Sequence, residues 1–65
     1  MGFRAARIKA GLSVAQVMDA LKVSDAAVYH WETGTTAPTA KRLIELAKLY
    51  KCSVDDLLSA DGNQQ

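Results

Sequence analysis

Residues 13–34 read SVAQVMDALKVSDAAVYHWETG, and this stretch parses into two short helices joined by a three-residue turn. Ser13, followed three residues on by Gln16, has the spacing of a capping box, in which each side chain satisfies a backbone donor left open at a helix start. Val17 and Leu21 then fall on one helical face, and Lys22-Val23-Ser24 breaks the pattern. Ser24 caps a second helix whose inward face carries Val28 and Trp31. Gly34 stands where a left-handed stop is least costly.

Working outward, Phe3, Ala6, Arg7 and Ala10 share a face of a first helix that Gly11 ends. Thr33 to Pro38 is a loop, since Pro38 forces the residue before it into an extended form. Thr39 caps a fourth helix to about Tyr50, with Leu43, Leu46, Ala47 and Tyr50 inward at the i, i+3, i+4, i+7 spacing. Lys51 closes it, and Cys52 reads as a small buried hydrophobe. Ser53 with Asp56 is a second capping box, opening a short fifth helix that holds Leu57 and Leu58. No strand pattern occurs. The expected fold is an all-α, compact five-helix bundle over residues 1–59, with a flexible tail over 60–65 that lacks apolar content.

Composition narrows the class. With 65 residues, 49% of them hydrophobic, the chain is one small globular domain rather than a disordered segment. No apolar run approaches the roughly 18 residues that cross a bilayer. No long apolar core follows Met1-Gly2-Phe3-Arg4, so neither a signal peptide nor a membrane partner is expected. One cysteine, Cys52, excludes an internal disulfide and a cysteine-based zinc site. A cytoplasmic protein without metal or cofactor is the expectation. No nucleophile–base pair, carboxylate dyad or phosphate-binding glycine loop is present, so an enzyme is not expected.

A short helix, a tight turn and a second short helix form the helix-turn-helix pattern, whose second helix can lie in the major groove of DNA. Three segments sharpen this: RIKAGLS at 7–13, LKVS at 21–24, and VYHWETG at 28–34 followed by Pro38. Together with LAKLY at 46–50 and SVDDLL at 53–58, they resemble the Cro/phage-repressor-type (XRE) helix-turn-helix regulators. The resemblance covers about residues 3 to 59. It implies a DNA-binding domain that works as a homodimer on a near-palindromic operator, and a buried salt bridge between Arg7 and Glu32. Arg7 falls on the apolar face of the first helix and Glu32 ends the third, so a buried charge at either place needs a partner; the alternative is two surface charges. The chain departs from the family pattern at Val14, Met18 and Lys22, where Gln, Ala and Gly are common. Val14 removes a side chain that touches phosphate, and Lys22 takes on backbone strain if the turn is left-handed.

With Val28 and Trp31 inward, the base-facing positions of the third helix, about 25–33, are Asp25, Ala26, Tyr29 and His30. None is Arg, Lys, Asn or Gln, the side chains that grip guanine or adenine bidentately. Ala26 or Ala27 can touch a thymine methyl and His30 can donate to guanine. Two readings of Asp25 stand: acceptance from a cytosine amino group, or stabilisation of its own helix dipole. Tyr29 either packs on its neighbours or reaches a base edge or a phosphate. Phosphate contacts are assigned to Ser24, Thr33, Thr35, Thr36, Lys22 and Lys41, with Arg42 also nearby; Lys41 and Arg42 can equally be a solvated face. Ile44 and Leu49, with Val54, Leu57 or Leu58, can form a dimer patch, although core burial suits Leu57. Double-stranded DNA and a second copy are the expected partners, and no small-molecule ligand is expected. A net charge of +1 keeps a second reading open: a protein-interaction module, an adaptor or antitoxin component, that keeps the fold with weak DNA affinity.

Overall fold

A computed structural model describes residues 2–59, and the tail expected over 60–65 lies outside the described residues. Five helices follow in order: α1 (Phe3–Lys9), α2 (Val14–Leu21), α3 (Asp25–Thr33), α4 (Ala40–Leu49) and α5 (Val54–Leu58). No strand occurs among the described residues.

Hydroxyl caps start four of them. Ser13, Ser24, Thr39 and Ser53 each accept a hydrogen bond from the backbone N–H three residues on, and Ser13 and Ser53 complete full capping boxes with Gln16 and Asp56. Each cap occupies one of the four N–H groups that a helix start leaves open, typically worth about 1 kcal/mol. The stops are equally uniform. Gly11, Lys22, Gly34 and Lys51 all have φ between 56° and 81°, the left-handed turn that lets the following N–H reach back five residues. Leu12 thus donates to the Arg7 carbonyl at 3.1 Å, Val23 to Met18 at 3.1 Å, Thr35 to His30 at 2.9 Å and Cys52 to Ala47 at 3.0 Å. Two of these stops are lysines, which carry the Cβ strain that glycine avoids.

The core forms where the five inward faces meet. Ala6, Val17, Leu21, Val28, Trp31, Leu46, Ala47, Tyr50 and Leu57 are buried, with Leu46 and Val17 wholly shielded. Each fully buried Leu or Val contributes about 1.5–3 kcal/mol relative to exposure. Helix α2 packs on α3, α4 packs on α5, and α1 touches both α3 and α5, so α1 joins the two halves. Leu49, Cys52 and Val54 lean against this core, and Leu57 lies within it. Of the apolar side chains set aside for a dimer patch, only Ile44 and Leu58 remain more than half exposed.

Candidate nucleic-acid interface

Helix α3 is fixed from one side and open on the other. Val28 and Trp31 drive its inner face into the core, and Ala27 packs against that core. On the opposite side Ala26, Tyr29, His30 and Thr33 follow one another at i, i+3, i+4 and i+7, the spacing of a single helical stripe. All four are exposed. Tyr29 retains 50% of its accessible surface. Asp25 begins the helix at the edge of this stripe, and its Oδ1 accepts a hydrogen bond from the Ala26 N–H at 2.8 Å. Its charge therefore lies against the positive end of its own helix, where an acid is favoured. Because α3 runs through Thr33, that residue extends the exposed stripe rather than belonging only to the loop beyond it.

The residues read as phosphate contacts flank this stripe with different degrees of freedom. The Ser24 hydroxyl is engaged as the α3 cap, accepting from the Ala27 N–H at 3.1 Å. Thr33 and Thr35 share a hydroxyl–hydroxyl hydrogen bond of 2.9 Å, and the Thr36 N–H donates to the His30 carbonyl at 3.3 Å. These bonds fold the loop back under the end of α3. Lys22 approaches Asp19 at 3.6 Å with both side chains at least 80% exposed, a contact of little energetic weight. Lys41 is exposed on the first turn of α4. Arg42 is engaged within the fold: its Nη1 donates to the Leu21 carbonyl at 3.0 Å and to Glu45 at 2.9 Å. It closes the C-terminus of α2 from outside, a tertiary role that local sequence does not reveal.

Arg7 and Glu32 meet across α1 and α3. Arg7 Nε donates to Glu32 Oε2 at 2.6 Å, Nη2 donates to Oε1 at 3.3 Å, and Nη1 donates to the Leu12 carbonyl at 3.0 Å. The side chains are only 12% and 5% exposed. This fork-to-fork geometry gives a charged pair its directionality. The hydrogen bond to Glu32 outweighs burial and raises the Arg7 guanidinium above its already high ordinary value. One side chain thereby ties together α1, the turn after it and the C-terminal half of α3. The exposed stripe is carried on a braced rod.

A cleft of about 280 Å³ opens beside this brace, walled by Arg4, Arg7, Val14, Tyr29, Glu32 and Thr33. Arg4, on the first turn of α1, is not among the residues that the sequence pointed to. The available signal was its place three residues before Arg7, which puts both on one side of α1. Among the described residues no group of His, Cys, Asp and Glu is arranged to hold a metal ion, and no helix is long and apolar enough to cross a membrane. Burial pushes the Cys52 thiol up, with Asp56 adding to the effect, so this side chain is a poor nucleophile.

Comparison with known proteins fits this geometry. The chain is 41% identical over 46 residues to the HTH-type transcriptional regulator DicA of Escherichia coli (strain K12), covering 71% of this chain and 34% of that protein. It is 36% identical over 61 residues to the Repressor protein C2 of Salmonella phage P22, covering 94% of this chain and 28% of that one. The chain thus spans about a third or less of the length of these curated relatives. No solved structure gives a significant match. The family model described as Helix-turn-helix matches residues 3–57, which takes in α1 through most of α5, and the chain belongs to this XRE-type helix-turn-helix family.

Proposed function

We propose that this chain is the DNA-binding domain of a transcriptional regulator, a binding rather than a catalytic unit, with α3 entering the major groove of a specific operator. The observation that carries the reading is the uncovered stripe of Ala26, Tyr29, His30 and Thr33 on a helix that Arg7–Glu32 and the core hold rigid. An α-helix with side chains is about 10–12 Å across and the major groove is about 12 Å wide, so such a stripe reaches base edges. Ala26 offers a methyl for thymine and His30 a donor for guanine N7 or O6. Tyr29 bridges a base edge or a phosphate. Asp25 serves mainly the dipole of α3 and only secondarily accepts from cytosine. Ser24, Thr33, Thr35, Thr36, Lys22 and Lys41 supply the surrounding phosphate contacts. The printed names of the two relatives, a transcriptional regulator and a repressor, agree with this assignment.

A small stripe without Arg, Lys, Asn or Gln gives one copy few strong base contacts, so two copies on a near-palindromic operator are the working unit. Ile44 and Leu58, 51% and 58% exposed, supply the apolar surface for that pairing. The domain acts in the compartment that holds the DNA, the cytoplasm. Selection of bound duplexes from a random pool, followed by sequencing, tests the reading directly. A shared half-site motif is the expected result, with His30→Ala and Tyr29→Ala losing affinity at unchanged thermal stability. Two variants that bind like the parent would remove these residues from the site.

A second reading is favoured by one observation, the near-neutral charge combined with an acidic residue at the start of α3. On that reading the fold is a protein-interaction module with little DNA affinity. Failure to retain random duplex even at low salt would select it.

A further inference from the structure

We infer that Arg4 is a DNA-backbone anchor, gripping a phosphate in the cleft beside α3 and so setting how the exposed stripe lies in the groove. This deepens the DNA-binding reading above and rests on it. Two of the arginines near α3 are already committed. Arg7 is spent on Glu32, and Arg42 on Glu45 and the Leu21 carbonyl. Arg4 is exposed and has no hydrogen-bond or ion-pair partner among the described residues. It shares one cleft with Tyr29 and Thr33, two members of the exposed stripe.

The cleft supplies what a phosphate needs. A guanidinium offers a planar fork of donors matched to two phosphate oxygens. The Tyr29 hydroxyl adds another donor at the same wall. The neighbouring Glu32 carboxylate is neutralised by Arg7 at 2.6 Å, so it does not leave a bare negative charge to repel the anion. Because the anchor comes from α1 while the stripe is on α3, one phosphate contact fixes the angle of the reading helix. Phosphate contacts of this kind position a protein without carrying sequence information.

Lys9 is an internal control. It lies on the same helix but lines a different cleft of about 390 Å³ with Tyr50, Lys51 and Cys52. Arg4→Ala and Lys9→Ala therefore change net charge equally while touching opposite sides of α1. The experiment measures binding of the whole chain to a random-sequence duplex from about 50 to about 200 mM salt. Arg4→Ala is expected to lower the slope of log affinity against log salt by about 0.9 per bound subunit, whereas Lys9→Ala leaves that slope within error. Arg4→Gln, which keeps an extended polar side chain, should lose the same slope as Arg4→Ala, and Arg4→Lys should retain it. An unchanged slope in Arg4→Ala and Arg4→Gln, or an equal change in Lys9→Ala, would overturn the inference. A parent chain that binds no duplex at any salt would instead overturn the DNA-binding reading itself, a result distinguishable from the other two.

Discussion

Replacing Arg7 by alanine tests the brace that holds α3 against α1. Three hydrogen bonds disappear together: two to Glu32 and one to the Leu12 carbonyl. The larger cost is what remains behind. Glu32, 5% exposed, is left without its partner, and removal of one member of a buried ion pair costs about 3–5 kcal/mol. A stability of about 0.05–0.15 kcal/mol per residue gives a 65-residue domain roughly 3–10 kcal/mol in total. A loss of about 3 kcal/mol is therefore a large part of the whole. Urea unfolding at fixed protein concentration, followed by fluorescence of the buried Trp31, measures it. The double variant Arg7→Met, Glu32→Leu should be much more stable than Arg7→Ala, because neither charge is then buried alone. A loss below about 1.5 kcal/mol in Arg7→Ala, or a double variant no better than the single one, would refute the claim that the pair is a buried brace.

Other outcomes follow from particular residues. Lys22→Gly and Lys51→Gly relieve left-handed backbone at φ 58° and 56° and should each stabilise by about 0.5–1 kcal/mol, seen as a higher urea midpoint; destabilisation would mean that their side chains matter more than their backbone. Burial, with a smaller contribution from the nearby Glu32 charge, pushes the Tyr50 hydroxyl up from 10 to about 12. Its folded pKa lies above its unfolded one, so this contribution is whole below pH 10 and lost as the pH climbs through 12. On the order of 2–3 kcal/mol should vanish across that window, checked by alkaline unfolding of a Tyr29→Phe background beside its Tyr50→Phe derivative, which should lack the transition. Ile44→Glu with Leu58→Glu should weaken self-association in sedimentation while the helical circular dichroism persists; unchanged association would move the dimer contact elsewhere.

The sequence carried the helices because their ends are written locally. Ser13, Ser24, Thr39 and Ser53 announce starts through hydroxyls three residues from the N–H they cap, and Gly11 and Gly34 announce stops. Inward faces were legible from the spacing of Val17 with Leu21 and of Leu46 with Tyr50. Arg7 and Glu32 are 25 residues apart, and a charge on an apolar face was enough to demand a partner, while the family resemblance named which one. Arg42 was not legible, because nothing local says that its guanidinium crosses to the Leu21 carbonyl. Arg4 escaped for a related reason: its neighbours Tyr29 and Thr33 are close only once α1 has packed on α3. Leu49 and Val54 look as free as Ile44 in a helical pattern, and only the docking of α5 on α4 separates them.

The most direct test of the central claim is a titration of isotope-labelled protein with a selected duplex, following backbone amide resonances residue by residue. The account predicts that the largest shifts fall on Ala26, Tyr29, His30 and Thr33, with smaller ones at Arg4 and the start of α2, and that residues around Lys9 and Tyr50 stay still. Shifts confined to α4 and α5, or no shift at any salt concentration, would contradict it.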